Sequence, residues 1–349
     1  MVAHINLQAF DSANMLKLLI DFPIQFQQAR RIGEALRFEI DRTKIKNIIF
    51  AGMGGSAIGG DLIVSCLNDQ LRIPAIVNRN YSLPGFVDQN SLVIVSSYSG
   101  NTEEALSCYD LAQSKGSVIV AISSGGKLAA RAQADGVPLI TIPGGAPPRT
   151  ALGYLSVPIL VLLKNSGMVT LSPRVFDETE ELLQQNNQRY WPDAAENPAL
   201  NLAQQLRNKF PIIYCAADLL APVALRWKGQ FSENSKVLAF YNVFPELNHN
   251  EIVGWDQIPQ RLRDFQVVYL RDREDHVRNQ KRMLITRAIL ERVTDPIIEL
   301  YAEGESRLAR LMSMVQLGDW VSYYLAILAG VDPTPIEKIQ LLKDRLSRE

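Results

Sequence analysis

The sequence predicts an α/β protein of two units, each a mainly parallel sheet flanked by helices. Three observations predict it. Short apolar runs alternate with helix-period stretches from Asn47 to Ile142, the rhythm of βαβ units and a parallel sheet. The same alternation restarts at Pro211. Between them, PRVFDETEELLQQNNQRYWPDA (173–194) is polar, rich in Glu and Gln, and helical in period, which fits a connecting helix on the surface. The expected division is 1–170 for the first unit with its leading helices, 171–195 for the connector and 196–349 for the second unit.

Taken in order, residues 12–38 place apolar side chains at helical spacing and predict one or two helices. Strands are predicted at Asn47–Ala51, Ala75–Asn78, Leu92–Ser96, Val118–Ile122 and Leu139–Ile142, with helices at Ala57–Asn68, Asn101–Lys115 and Gly126–Ala134. ALGYLSVPILVLLKNS (151–166) reads as a closing helix, kinked or interrupted near Pro158. In the second half, strands are predicted at Pro211–Ala216, Lys236–Tyr241, Val267–Leu270 and Pro296–Glu299. Helices are predicted at Leu219–Phe231, Arg278–Val293 and Leu308–Ala329. A last helix is expected from Thr334, a cap residue followed by proline in the first turn.

Composition narrows the function. The 349 residues are 47% hydrophobic with a formal net charge of -1, which argues against a nucleic-acid partner. No apolar run reaches the roughly 18 residues of a membrane span. The start, MVAHINLQAFDSAN, has neither the basic opening nor the apolar stretch of a signal peptide. Cys66, Cys108 and Cys215 are odd in number and widely spaced, so buried free thiols and a cytoplasmic location are expected. The three histidines, His4, His249 and His276, pair with no cysteine or other histidine at ligand spacing, so no metal is expected.

Two loops directly after strands carry the chemistry: AGMGGSAIGGDL (51–62) and SSYSGNTEE (96–104). In a parallel sheet both sit at the carboxyl ends of strands, where ligands bind. So many glycines between a strand and a helix imply that something must come close to the main chain. Ser97, Ser99 and Thr102 supply hydroxyls, Gly100 and Asn101 can turn sharply, and the following helix presents its first amides. Neutral donors plus a helix N-terminus suit a phosphate monoester. The loop is no Walker motif, since no GK[ST] follows. Gly52, Gly54 and Ala57 satisfy G-x-G-x-x-A, but PAIVNRN (74–80) has Arg79 where a dinucleotide site needs an acid. NADP is the weaker reading of that arginine, and no cofactor is expected. A third loop, ISSGGKLA, with Ser124, Gly125 and Gly126, reads as a tight turn at a helix start. His276, in REDHVRNQKR, reads as a solvated helix end.

GMGGSAIGG together with SSYSGNTEE resembles the sugar isomerase (SIS) domain, whose S-x-S-G-x-T loop holds a sugar phosphate. PPRTALGYL (147–155), RWKGQFSENSK (226–236), FPELNHNEIVGW (244–255) and GVDPTPIEKIQLLK (330–343) resemble the bifunctional phosphoglucose/phosphomannose isomerases of archaea and bacteria, within the phosphoglucose isomerase superfamily. The resemblance runs from about residue 30 to the C-terminus and implies two SIS-type doubly wound domains. It implies an aldose–ketose isomerase acting on glucose 6-phosphate and mannose 6-phosphate. Gly54, Gly55 and Ser56 would hold substrate, and Ser97, Ser99 and Thr102 would grip its phosphate. Such a reaction needs a base, a positive charge for the enediolate oxygen and a group that opens the ring. Glu233 matches the family's base. Arg149 would steady the enediolate and bind substrate oxygens, as a guanidinium suits. His249, whose residue type titrates near working pH, would open the ring and is implied to reach the neighbouring subunit's site in a homodimer. The family's second ring-opening group is a lysine near the C-terminus. Lys338 and Lys343 both qualify by position, and Lys343 is preferred because it follows Leu341-Leu342 near the chain end. The alternatives are a non-catalytic sugar-phosphate-binding regulator, since SIS folds also serve as binding modules, and an isomerase of another phosphosugar.

Overall fold

The computed structural model describes residues 9–256 and 259–346, and the counts below refer to these; His4 lies outside them. The chain divides into two compact units. The N-terminal unit is Asp21–Gln184 with Gly304–Leu311, and the C-terminal unit is Met1–Ile20, Gln185–Glu303 and Met312–Glu349. Both are discontinuous, unlike the expected blocks 1–170, 171–195 and 196–349. The described residues 9–20 cluster with the C-terminal unit, and a short piece of a late helix clusters with the N-terminal one.

The leading stretch forms α1 (Met15–Ile20) and α2 (Phe22–Glu34). The N-terminal sheet follows: β1 (Asn47–Ala51), α3 (Gly54–Cys66), β2 (Ala75–Asn78), β3 (Ser91–Ser96), α4 (Glu103–Ser114), β4 (Val118–Ser123), α5 (Gly126–Ala134) and β5 (Leu139–Thr141). Its strand order is β2-β1-β3-β4-β5, all parallel. Every residue of β3 is buried, as a central strand covered on both faces should be. One core packs Ile49, Val93 and Val95 against Ala105, Tyr109 and Leu128 of α4 and α5.

A 3-10 turn (Pro148–Thr150) leads into α6 (Leu152–Asn165). α6 is not interrupted at Pro158, one of the two outcomes expected there, but runs on through it. It packs closely along α2: a Cβ on Gly33 would lie 2.7 Å from Val161 Cβ and 3.0 Å from the Pro158 Cα. Packing of a helix buried over most of its length, Leu152–Leu163 apart from Tyr154, outweighs the one hydrogen bond that proline removes. Next, α7 (Pro173–Tyr190) carries the chain out of the unit. The expected surface helix is only half so, since Phe176, Thr179, Leu183, Asn186 and Tyr190 form a buried row along it.

The C-terminal unit contains α8 (Pro198–Leu206), β6 (Phe210–Ala216), α9 (Ala221–Glu233), β7 (Phe240–Phe244), α10 (Pro259–Leu262), β8 (Phe265–Arg271), α11 (Val277–Leu290) and β9 (Ile298–Tyr301). The parallel order is β7-β6-β8-β9. Two further helices are α12 (Arg307–Ala329), which enters from the other unit at Met312, and α13 (Glu337–Leu346). The sequence reading had not marked α8, although Asn197 Oδ1 accepts from Leu200 N–H at 2.9 Å and Pro198 opens the helix, an N-cap signal.

Two boundaries moved for visible reasons. β7 starts four residues later than expected. After α9 the chain turns through Lys236 at φ 59°, and Val237 N–H returns to Phe231 O at 3.1 Å. Residues 234–237 are spent closing the helix, as helix C-termini commonly require. The last helix starts at Glu337 rather than Thr334. Asp332 Oδ1 accepts from Thr334 N–H at 2.9 Å, a local turn that competes with helix.

Candidate active site

In the order β2-β1-β3-β4-β5 the chain winds one way from β1 to β2 and the other way from β1 to β3. The crevice between the carboxyl ends of β1 and β3 is therefore the topological switch point, where open α/β sheets bind ligands. The glycine-rich loop follows β1 and the hydroxyl loop follows β3, so the topology puts the two singled-out loops side by side.

The glycine-rich loop is built for close approach of two kinds. Gly54 adopts φ 50°, and a Cβ there would meet nothing within 4 Å; this is open space beside bare main chain. At Gly55 the neighbour is the chain itself, with Pro148 O 3.0 Å and Arg149 Cα 3.6 Å from an added Cβ. Part of the glycine demand is thus internal, a reason the sequence reading did not include. Ser56 is buried on the first turn of α3. Met53 at the N-cap makes no side-chain hydrogen bond to that turn, which leaves capping to other groups.

The hydroxyl loop is folded by its own side chains. Ser97 Oγ donates to Thr102 Oγ1 at 2.9 Å and accepts from Thr102 N–H at 3.4 Å. Ser99 Oγ accepts from Asn101 N–H at 3.3 Å. Ser97 is 1% exposed while Ser99 is exposed. Thr102 is the N-cap of α4 and makes no side-chain cap. Gly100, at φ 71°, makes the turn possible.

The third loop, expected to be a plain turn, is the support under this one. Ser124 N–H and Oγ donate to Tyr98 O at 3.0 and 2.6 Å. Lys127 N–H donates to Asn101 Oδ1 at 3.1 Å. Leu128 N–H donates to Gly100 O at 2.9 Å. The fit is tight enough that a Cβ on Gly100 would lie 1.8 Å from Gly125 O.

Arg149 is 5% exposed, in the 3-10 turn beside Gly55. The N-terminal unit therefore brings Gly54, Gly55, Ser56, Ser97, Ser99, Thr102 and Arg149 to one end of one sheet. Chemically this is a set of hydroxyls, main-chain amides at two helix starts and one guanidinium, suited to an oxyanion-rich ligand. Arg79, the one residue that kept a dinucleotide phosphate open, is paired with Asp61 of α3, whose carboxyl is pushed up by burial against the pull of that arginine.

Glu233, His249 and Lys343 belong to the C-terminal unit, each on a different element. Glu233 ends α9, and its carbonyl accepts from Lys236 Nζ at 2.5 Å. The same ammonium donates to Pro333 O at 3.3 Å, which ties the end of α9 to the segment leading into α13. Behind Glu233, α9 is fastened to α12. Arg226 Nη2 and Gln230 Nε2 donate to Asp319 at 2.7 and 2.8 Å, Trp227 Nε1 donates to Met314 O at 2.8 Å, and Asn234 Nδ2 donates to Ser322 Oγ at 3.0 Å. His249 is exposed on a 3-10 turn (Glu246–His249) held to α11 by Asn248 Nδ2 and Thr286 Oγ1 at 2.8 Å. Lys343 and Lys338 are both exposed on α13, which buries no residue. His276 caps α11, its Nδ1 accepting from Arg278 N–H at 3.2 Å.

Cys66, Cys108 and Cys215 are buried and free, and burial pushes the Cys66 thiol up to about 12. Among the described residues no group of three or more His, Cys, Asp or Glu side chains is arranged to hold a metal, and no helix is long and apolar enough to cross a membrane.

Comparison with known proteins fits this geometry. A bifunctional phosphoglucose/phosphomannose isomerase of Caldicellulosiruptor bescii is 46% identical over 335 residues, covering 95% of this chain and 99% of the relative. The chain belongs to the bifunctional phosphoglucose/phosphomannose isomerase family. A family member from Aquifex aeolicus is 37% identical over 309 residues, 88% of this chain and 92% of the relative. Residues 195–346 match the bacterial phospho-glucose isomerase C-terminal SIS domain. The C-terminal domain of glucosamine-fructose-6-phosphate aminotransferase from Francisella tularensis shares the fold, with a TM-score of 0.69 at 18% identity over 92% of this chain and 97% of that one. As a member of this isomerase family, the chain is an enzyme.

Proposed function

We propose that the chain interconverts glucose 6-phosphate and mannose 6-phosphate with fructose 6-phosphate through a cis-enediol. The observation that carries the reading is the switch point of the N-terminal sheet, where a hydroxyl loop, bare main chain and Arg149 occupy one end. Ser97, Ser99 and Thr102 would receive the phosphate, whose charge the start of α4 favours. Gly54, Gly55 and Ser56 would lie along the sugar. His249 and Lys343, with Lys338 as the alternative to the latter, would move the proton that opens the ring. Glu233 would take the proton from C2 of the open aldose and return it to C1, giving the ketose, while Arg149 balances charge on the enediolate oxygens. Rotation about C2–C3 in the intermediate lets one base serve both epimers. The expected result is that Glu233→Gln abolishes both activities in a coupled assay; retention of either removes the single-base scheme. A regulator that binds without turnover would show sugar-phosphate affinity and no Glu233-dependent flux.

The finer reading is a cytoplasmic homodimer with sites shared between subunits. It is supported by the surroundings of His249. Arg282 and Thr286 of α11 contact Asn248. Ile285 and Ile289, each three residues further along, are 61% and 43% exposed, beside Leu284 at 56% and Val277 at 57%, with Val253 at 68% on the turn that follows His249. These exposed apolar side chains near the His249 turn are the kind a subunit contact covers. A second copy is the occupant this reading assigns. Mixing inactive Glu233→Gln and His249→Ala subunits should restore part of the activity, because one site of the mixed dimer has both groups. No recovery on mixing would place both groups in one subunit's site.

A further inference from the structure

Arg149 sits on a turn rather than on a helix or strand, so something must fix it. Two prolines precede it, and each holds its own φ, so the stretch Ala146–Arg149 has two fewer soft torsions than an ordinary turn. Both ends of that piece are gripped by side chains from elsewhere in the N-terminal unit. On one side, the Tyr98 hydroxyl accepts from Ala146 N–H at 3.0 Å. Tyr98 lies between the two serines of the hydroxyl loop and is 6% exposed. On the other side, Gln25 of α2 uses both ends of its amide. Its Nε2 donates to Thr150 O at 2.8 Å, and its Oε1 accepts from Gly153 N–H at 2.8 Å. Position 153 is glycine where a Cβ would lie 2.8 Å from that same Oε1. One turn along α2, Gln28 accepts from the Tyr154 hydroxyl. The close packing of Gly33 on Val161 fixes α2 against α6, so Gln25 cannot slide along the turn.

We propose that Gln25 and Tyr98 are positioning residues for Arg149, clamping its turn from both sides and setting its place relative to the hydroxyl loop. The clamp rests on the reading of Arg149 as the group that balances the enediolate. It makes a residue of the leading helices, outside every motif of the sequence, part of the catalytic machinery. It also links two functions in one element, since Tyr98 carries the phosphate loop on its main chain and the Arg149 turn on its side chain. Only the hydroxyl is at stake in Tyr98→Phe, because the third loop is bonded to the Tyr98 carbonyl.

The test is steady-state kinetics on the full chain with fructose 6-phosphate, for Gln25→Leu, Tyr98→Phe, Arg149→Ala and the pairwise combinations. Each of the first two should lower kcat about 10- to 100-fold, the scale of an ångström-sized misplacement of a catalytic group. KM should move little, because the phosphate grip is intact. In the Arg149→Ala background neither change should lower kcat further, since a residue acting through Arg149 has nothing left to position. Gln25→Glu keeps the acceptor for Gly153 N–H but sets a carboxylate oxygen against Thr150 O, so it should lower kcat at least as far as Gln25→Leu, and it carries the test where Gln25→Leu does not fold. Wild-type kcat in both Gln25→Leu and Tyr98→Phe overturns the clamp. So does an equal further loss in the Arg149→Ala background, which would mark a merely structural role. Wild-type turnover in Arg149→Ala alone overturns the reading of Arg149, and the clamp with it, and is seen in that single variant.

Discussion

The two sheets share one winding and differ in what they place at its turning point. In the N-terminal sheet the switch point lies between β1 and β3 and is followed by glycines and hydroxyls. In the C-terminal sheet the order β7-β6-β8-β9 puts it between β6 and β8. There the chain supplies Asp218 after β6 and Asp272, Glu274 and Asp275 after β8. Two of these carboxylates serve the loop itself. Asp275 Oδ2 accepts from Asp272 N–H at 3.0 Å, and Asp272 Oδ1 accepts from Glu274 N–H at 2.9 Å. A phosphate arriving at that edge would meet four acidic side chains against two arginines, Arg271 and Arg273, a net like charge. The difference teaches that the winding provides a crevice and the loops decide what enters it. On the proposed function one switch point receives an anion, while at the other Asp272 and Asp275 hold their own backbone.

The sharpest way to break this contrast is at Gly100. With φ 71° and Gly125 O at 1.8 Å from an added Cβ, Gly100→Ala has no space and the wrong backbone region. A loss of about 4 kcal/mol or more is expected, with the hydroxyl loop displaced and turnover lost. The C-terminal counterpart is Gly229 in α9, where an added Cβ meets nothing within 4 Å. Gly229→Ala should instead stabilise by up to about 1 kcal/mol, the helix-propensity difference. Urea melts of the two variants check both signs; equal effects would mean that loop packing is not what separates the units.

The next largest effect tests how Glu233 is carried. Asp319 is buried against Arg226 and Gln230, and burial pushes its carboxyl up while those partners pull it down. Asp319→Ala leaves a buried guanidinium without its carboxylate, so about 3–5 kcal/mol should be lost. The same double removal with Arg226→Met should recover much of that loss. If the double variant is no more stable than Asp319→Ala, the pair is not the fastening it looks like.

A smaller effect separates the switch points by function. Ser97→Ala removes one hydroxyl from the proposed phosphate grip, and a hydrogen bond to a charged group contributes about 1.5–3 kcal/mol, so KM for fructose 6-phosphate should rise roughly 10- to 100-fold. Asp218→Asn, at the equivalent place in the other sheet, should leave KM within about twofold, the scale of a surface change. A KM shift in Asp218→Asn would give the acidic switch point a share in substrate binding.

Much of this was legible from the sequence, but unevenly. β1, β2 and α5 begin and end where periodicity and glycine signals put them, because local pattern and tertiary packing agree there. β7 was misplaced because the closing turn through Lys236 depends on a bond back to Phe231 that no local pattern encodes. The two ligand loops were visible as glycine and hydroxyl clusters next to strands. The support from Ser124 was not, since it joins loops from two strands. Gln25 carried no signal at all, lying 125 positions from the carbonyl it binds. Glu233, His249 and Lys343 stood out from other charged residues through the family resemblance alone.

The last test lies in the acidic switch point itself and is read by pH. Asp275 is 4% exposed, and burial pushes its carboxyl up to about 7, with repulsion from Asp272 and Asp218 opposing the attraction of Arg271 and the Asp272 N–H. In the unfolded chain the same group ionises near pH 4. Below about pH 4 both states hold the proton and the group contributes no difference. As pH rises from about 4 to about 7, the unfolded state ionises first and folding loses stability, and above about 7 the loss is constant. Asp275→Asn removes the ionisation but keeps an acceptor for Asp272 N–H. The variant should therefore be more stable than wild type by about 3–4 kcal/mol at pH 8, with the gain falling to about 1 kcal/mol near pH 4.5 and vanishing below it. Urea melts of both proteins at the two pH values measure it. A gain independent of pH would show that packing rather than charge sets the cost of this carboxylate. A loss at pH 8 would mean that the carboxylate's charge is needed there, which would reverse the contrast between the two sheets.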